Sequence, residues 1–226
     1  MANDLEKEAA ARASLRFVQE GNVVGLGTGS TAAYAVRFLA ERVRSGLKIR
    51  GIPTSSSTRE LAASLGIPLI TFDDVQQIDV TIDGADEFDP ELQLIKGGGG
   101  ALLREKIVAS ASRQLVIVAD ASKQVQVLGK FPLPVEVVPF AQALVAKRIA
   151  ALGATPKLRR DAGGNPFVTD EGHHILDCGF GAIPDPPALA RALDAMPGVV
   201  EHGLFINLAS VVLLGRGGEV REIRRA

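Results

Sequence analysis

The chain predicts an α/β protein: a Rossmann-like, mostly parallel sheet with helices on both faces, plus a small α+β domain of ferredoxin-like order. Three observations predict it. From Val23 to Ala119, short runs rich in Val, Ile and Leu alternate with segments of helical period, as expected of buried strands joined by crossover helices. Beyond Gly129 the order becomes β-α-β-β-α-β, with turn residues between closely spaced strands. The last two strands expected, Val211 to Leu214 and Glu219 to Ile223, rejoin the first domain. The expected boundaries are 1–130 with 207–226 for a catalytic α/β domain, and 131–206 for a small domain serving as lid or oligomerisation element.

Taken in order, Asp4 to Glu20 reads as a helix closed by Gly21, with Ala11, Leu15, Val18 and Lys7 on one face. Val23 to Leu26 is a strand running into Gly27-Thr28-Gly29-Ser30-Thr31. The helix that follows carries Ala32, Val36, Leu39, Ala40 and Val43 at helical spacing. Lys48 to Pro53 is a second strand, and Ser57-Thr58-Arg59-Glu60 is a capping-box pattern opening another helix. Pro68 to Phe72, Ile78 to Ile82 and Leu115 to Ala119 are further strands. In the small domain, Val135 to Val138, Lys157 to Arg160, Phe167 to Thr169, His173 to Asp177 and Val199 to Phe205 read as strands. Ala141 to Leu152 and Pro186 to Met196 read as its helices.

Bulk composition removes several classes of function. The 226 residues are 46% apolar, enough for a sizeable core. Twenty-five basic residues balance 26 acidic ones, net −1, without the clustered basic stripe of a nucleic-acid surface. No apolar run reaches membrane-spanning length, and the N-terminus lacks the apolar core of a signal peptide. A single cysteine, Cys178, excludes an intramolecular disulfide and fits a reducing compartment. The expectation is a cytoplasmic protein with no nucleic-acid or membrane partner.

The chemistry gathers in Ile82-Asp83-Gly84-Ala85-Asp86-Glu87 and in Ile95-Lys96-Gly97-Gly98-Gly99-Gly100, which runs on to Leu103-Arg104-Glu105-Lys106. Carboxylates, a lysine and bare backbone amides lie there at strand ends and a helix start, the places that border ligand crevices in open α/β sheets. Asp83 and Asp86 are also ordinary turn formers, yet with Glu87 they crowd one strand end. Hydrogen bonding to a polyhydroxylated substrate suits them better than a metal, since His173, His174 and His202 are remote in sequence. Glu105 has Ala101, Val108 and Ala109 as helical neighbours, so its carboxylate is either a partly desolvated base or a surface charge. The loop Gly27 to Thr31 suits an anion at a helix N-terminus or is a plain βα turn. Lys7 either snorkels to water or reaches an anion; Lys123 is either an exposed loop lysine or a second anion partner. The dinucleotide fingerprint is incomplete, because its third glycine position falls on Ser30. No Gly-Lys-Ser/Thr follows the loop either, so no nucleotide cofactor is expected.

Together these stretches, with Ala119-Asp120-Ala121-Ser122-Lys123, Leu128-Gly129-Lys130-Phe131-Pro132-Leu133-Pro134 and Gly203-Leu204-Phe205, resemble ribose-5-phosphate isomerase of the A type over nearly the whole chain. The resemblance implies a cofactor-free, metal-free aldose–ketose isomerase acting on a sugar phosphate, as a homodimer or homotetramer. It implies that Glu105 is the base, that Lys96 with nearby amides stabilises the enediolate oxygen, and that Asp83 and Asp86 serve the sugar hydroxyls and ring opening. Lys7, Ser30, Thr31 and Lys123 correspond to phosphate contacts; Thr28, Gly29, Gly84, Ala85, Gly97, Gly98 and Gly99 complete the implied substrate-binding set. Gly100 departs from the family pattern, where an alanine is expected. Two rivals are a sugar-phosphate sensor domain and a different enzyme on a related fold.

Overall fold

A computed structural model defines the fold and describes residues 2–225. In chain order the elements are α1 (Ala2–Ser14), β1 (Val23–Leu26), α2 (Ser30–Arg44), β2 (Arg50–Pro53), α3 (Ser56–Ser64), β3 (Val80–Asp83), β4 (Glu87–Phe88), β5 (Leu94–Ile95), α4 (Leu102–Ser110) and β6 (Leu115–Asp120). They continue as β7 (Leu133–Val137), α5 (Gln142–Ala151), β8 (Thr155–Leu158), β9 (His174–Gly179), α6 (Pro186–Asp194), β10 (Val199–His202), β11 (Leu204–Phe205), β12 (Val211–Arg216) and β13 (Glu219–Ile223). The chain divides into two units: 1–85 with 104–124 and 208–226, and 86–103 with 125–207. Met1 and Ala226, ends of the expected first domain, lie outside the described residues.

The first unit is built on a six-stranded sheet of order β13-β12-β6-β3-β1-β2, parallel except for β13 at one edge. Alternation along its strands sorts side chains to two faces. Val24, Leu26, Val80, Ile82, Val116 and Val118 point into a core shared with Ala10, Ala11 and Leu15 near the N-terminus and with Ala35, Val36 and Leu39 of α2. Val23, on the other face, packs with Ile52, Ile78 and Val108 of α4. Both faces are therefore helix-covered, which is why every residue of β1, β3 and β6 is buried. Truncating a side chain such as Leu39, 1% exposed, to alanine would cost about 2–5 kcal/mol.

The second unit contains a four-stranded antiparallel sheet of order β10-β7-β9-β8. With α5 after β7 and α6 after β9, the sequence of elements is β-α-β-β-α-β, the expected ferredoxin-like order. Val135, Val137, Leu176 and Cys178 form its core with Val145 and Ile149 of α5 and Leu193 of α6. A second, three-stranded sheet of order β11-β5-β4 belongs to the same unit.

Several elements differ from expectation, each for a local reason. Residues 86–103, 125–130 and Asn207 count with the second unit: β4 and β5 pair antiparallel with each other and β5 with β11, and Leu128 is buried in that unit's core. The first helix stops at Ser14, whose hydroxyl donates back to Ala11 O at 2.6 Å, and a 3-10 turn over Leu15–Phe17 leads into an extended Val18. Pro68 to Phe72 makes only a bridge from Leu69 to Gly51; Pro68 has no amide to donate, and Asp74 draws Thr71 into a turn at 2.9 Å. Phe167 to Thr169 likewise yields one isolated bridge, from Val168 to His174, and no strand. The α3 cap is Ser55, two residues before the expected one, its hydroxyl accepting from Thr58 N at 3.1 Å.

Candidate active site

In the first unit, the loop between β1 and α2 is shaped by a close approach at Gly27. A Cβ on Gly27 would lie 2.5 Å from Asp83 Cα and 2.3 Å from its Oδ1, so only glycine lets the loop pass against the end of β3. Gly27 N donates to Ile82 O at 2.9 Å, and Thr28 N donates to Asp83 Oδ1 at 3.1 Å. Asp83 Oδ1 also accepts from Gly84 N at 2.7 Å. Asp83 thus orders the loop with one oxygen while being 1% exposed. The neighbouring Gly84 and Ala85 are half-buried.

Thr28 behaves differently from a simple ligand contact. Its Oγ1 lies 2.7 Å from Thr54 Oγ1, 2.8 Å from Ser55 Oγ and 3.2 Å from Thr58 Oγ1. Thr58 in turn donates to Gly27 O at 3.0 Å. This hydroxyl knot ties the loop to the segment after β2. The outer loop residues stand otherwise: Gly29 and Ser30 are exposed, Thr31 is buried in the first turn of α2, and Lys7 Nζ donates to Ser30 Oγ at 3.1 Å. An ammonium on a serine hydroxyl at a helix N-terminus is a group of donors and positive potential suited to an anion.

Two further elements of the first unit bear on this corner. Glu6, next to Lys7, accepts from Ala121 N at 3.2 Å and from Gly217 N at 3.0 Å. It therefore ties α1 to the 3-10 turn Ala121–Lys123 that carries half-buried Lys123. On the opposite face of the sheet, Glu105 lies in the first turn of α4 and is only 5% exposed. Of the two readings open for Glu105, the surface charge is excluded.

In the second unit, Lys96 follows β5 directly and is 2% exposed. Its amide donates to Gly203 O at 2.8 Å, and its Nζ lies 5.4 Å from the centroid of the Phe205 ring. Half-buried Asp86 accepts from Gly98 N at 2.7 Å through Oδ2. The glycines form a tight turn, Gly100 N donating to Gly97 O at 3.0 Å, with Gly98 and Gly99 exposed. Gly100 has φ +82° and sits where a Cβ would meet Phe167 at 2.5 Å. That contact accounts for glycine at the position where the family pattern predicts alanine.

Three groups depart from the sequence reading. Glu87 does not join Asp83 and Asp86 in crowding a strand end; it is 3% exposed and accepts from Gly129 N at 2.8 Å and Phe131 N at 2.6 Å. Its charge is spent on the backbone. The histidines separate as expected: His173 faces Glu136 at 3.0 Å and His174 faces Gln142 at 2.7 Å. Among the described residues, Asp194, Glu201 and His202 bring ligand atoms within 4.8 Å of one another. Yet His202 Nδ1 accepts from Leu204 N at 3.2 Å and Nε2 faces Asp194 at 3.0 Å. A neutral ring bonded so carries its proton on Nε2 and has no lone pair there for a metal. Cys178 is buried, and burial followed by the charge of Asp177 pushes its thiol up to about 12; it is no nucleophile at neutral pH.

Sequence reasoning missed Arg159 and the Thr54, Ser55 and Thr58 hydroxyls. The run of hydroxyl residues at 54–58 was a usable signal, since one cap needs only one of them. Arg159 gave none.

The family model for ribose 5-phosphate isomerase A (phosphoriboisomerase A) matches residues 50–219. The chain is 55% identical over 221 residues to ribose-5-phosphate isomerase A of Parvibaculum lavamentivorans, covering 95% of this chain and 96% of that protein. A solved D-ribose-5-phosphate isomerase in complex with phospho-erythronic acid covers 100% of both chains with a TM-score of 0.97 and 38% identity. Ribose 5-phosphate isomerase A of Methanocaldococcus jannaschii covers 97% of this chain and 98% of its own, with a TM-score of 0.93 and 40% identity. With half its residues shared with such relatives end to end, the chain belongs to the ribose 5-phosphate isomerase A family.

Proposed function

We propose that this protein interconverts ribose 5-phosphate and ribulose 5-phosphate, with Glu105 as the base. The observation that carries the reading is the placement of Glu105, buried in the first turn of α4, in a chain of this family, since a carboxylate shielded from water is a stronger base than a solvated one. Glu105 takes the C2 proton of the open-chain aldose. The C2–H electrons form the C1=C2 bond, and the aldehyde oxygen takes up the negative charge. Return of the proton to C1, with passage of the 2-hydroxyl proton to O1, leaves a ketone at C2 and a hydroxymethyl group at C1. Electrons balance within the substrate, so the reaction calls for no redox cofactor.

Lys96 and the amides of Gly97 and Gly99 supply the positive end for the enediolate oxygen, a contribution worth about 3–4 kcal/mol per preorganised donor, while the Gly98 amide holds Asp86 against the turn. Asp83 and Asp86 receive the sugar hydroxyls and assist ring opening. Lys7, Ser30, Thr31 and Lys123 hold the phosphate, with Gly29 amide and the Thr28-braced loop beneath it, and Gly84 and Ala85 line the sugar. A relative's complex with phospho-erythronic acid supports this division, because that ligand joins a phosphate to a carboxylate whose charge resembles an enediolate's. A homodimer or homotetramer in the cytoplasm, and the small domain as lid or oligomerisation element, belong to the same reading.

The test is conversion of ribose 5-phosphate by the purified protein and by Glu105→Gln. The expected loss of turnover is at least about 10²–10⁴-fold, with KM within a few-fold. In deuterated water, the wild-type product carries deuterium at C1 wherever the carboxylate exchanges before reprotonation. Retention of most of the wild-type rate by Glu105→Gln overturns the base assignment; absence of ketose with the wild type overturns the function.

A further inference from the structure

The glycine turn beside Lys96 is fastened from behind by a side chain that the reaction itself does not use. Arg159 follows β8 and is pinned by its own backbone: its N donates to Ile175 O at 2.8 Å and its O accepts from Phe167 N at 2.9 Å. Its side chain is 14% exposed, and the guanidinium forks onto Asp177 of β9, Nε at 3.0 Å from Oδ2 and the second nitrogen bonded to Oδ1. The remaining nitrogen donates to Gly97 O at 2.9 Å and to Gly98 O at 3.1 Å. One planar group thus bridges a carboxylate on the sheet and two successive carbonyls of the turn.

We propose that Arg159 is a positioning residue for catalysis, fixing the peptide planes of the glycine turn so that the Gly99 amide is oriented to receive the enediolate oxygen; this rests on the function proposed above. Across a trans peptide the carbonyl and the following N–H point in opposite directions. Fixing Gly97 O toward the guanidinium therefore aims Gly98 N the other way, where Asp86 takes it at 2.7 Å. Fixing Gly98 O aims Gly99 N away from Arg159 in the same manner. A run of four glycines has no side chains to limit its conformations, so the orientation of these amides must be imposed from outside. The guanidinium also polarises both peptides by donating to their carbonyls. Asp177 completes the device by orienting the fork. A lysine at this position is a point charge that cannot span a carboxylate and two carbonyls at once.

The experiment compares wild type, Arg159→Ala, Arg159→Lys and Asp177→Asn for kcat and KM with ribose 5-phosphate and for inhibition by inorganic phosphate. Thermal unfolding of each variant accompanies the kinetics. A misplaced oxyanion donor costs up to about 100-fold, so kcat of Arg159→Ala should fall about 10- to 100-fold with KM within about threefold. Inhibition by phosphate should be unchanged, because Arg159 touches the turn and not the phosphate loop. Arg159→Lys should recover little, while millimolar guanidinium added to Arg159→Ala should restore part of kcat. If Arg159→Ala does not fold, the decision passes to the other two: a selective fall in kcat with native melting supports the proposal. Wild-type kcat in any folded variant lacking the fork, or a loss confined to KM, overturns it. A wild type inactive on ribose 5-phosphate instead overturns the function reading and is distinguishable from both.

Discussion

Replacing Glu87 by glutamine tests whether this carboxylate serves the backbone or the substrate. The side chain is 3% exposed and receives two amides, Gly129 N at 2.8 Å and Phe131 N at 2.6 Å. Hydrogen bonds to a charged acceptor contribute about 1.5–3 kcal/mol each, and neutral ones about 1 kcal/mol. In Glu87→Gln the remaining oxygen keeps one bond at neutral strength. The new NH2 group faces the other amide, donor against donor, and leaves it buried and unsatisfied at about 1–3 kcal/mol. Glutamine is cheaper to bury than a carboxylate, which trims the sum, so the net loss comes to about 2–4 kcal/mol. For a chain of this length that corresponds to a fall in Tm of roughly 4–16 °C, followed by calorimetry, with kcat at 25 °C within about twofold. A loss below about 1 kcal/mol would show that the two contacts contribute little. A collapse of kcat in well-folded protein would return Glu87 to the chemistry.

Two other outcomes are expected. Lys7→Ala should weaken inhibition by inorganic phosphate roughly tenfold, the equivalent of one exposed charge-assisted bond, as measured by isothermal titration; unchanged affinity would place the phosphate elsewhere. Cys178 should resist thiol reagents at pH 8 in the native state and react at once in denaturant. With its thiol raised from 9.0 to about 12, the folded protein keeps a proton that the unfolded chain loses, so this contribution to stability is complete below pH 9 and declines as pH rises toward 12. Rapid native labelling at pH 8 would contradict the burial argument.

What the sequence reveals and what it hides follow from distance along the chain. The central strands of the first unit's sheet are legible because runs such as Leu115 to Ala119 and Val211 to Leu214 are uninterrupted and apolar, and the positions of Asp83, Lys96 and Glu105 at strand ends and a helix start follow from the runs beside them. Partners far along the chain leave no such trace. Glu87 looks like a member of an acidic cluster until Gly129 and Phe131 are found on it, 42 and 44 residues away. Val199 to Phe205 reads as one strand, yet Gly203 donates to Pro134 O and accepts from Lys96 N, both at 2.8 Å. The backbone therefore leaves one sheet at His202 and enters another at Leu204. That same junction anchors Lys96, so the misread strand break and the placement of a candidate catalytic lysine are one structural event.

The glycine run shows why the distinction matters for function. By composition, Gly97 to Gly100 is a flexible linker. In the fold a Cβ on Gly98 would lie 2.5 Å from Asp86 Oδ1, and one on Gly100 would strike the ring of Phe167. The carbonyls of Gly97 and Gly98 are held by Arg159. Glycine is present there to let other groups come close, and those groups remove the freedom that glycine brings. A loop built this way presents its amides at fixed angles without reorganising as charge develops, which is the property an oxyanion site needs. The rigidity lies in Asp86, Phe167 and Arg159, and so a test of the proposed oxyanion role belongs at those side chains as much as at the glycines.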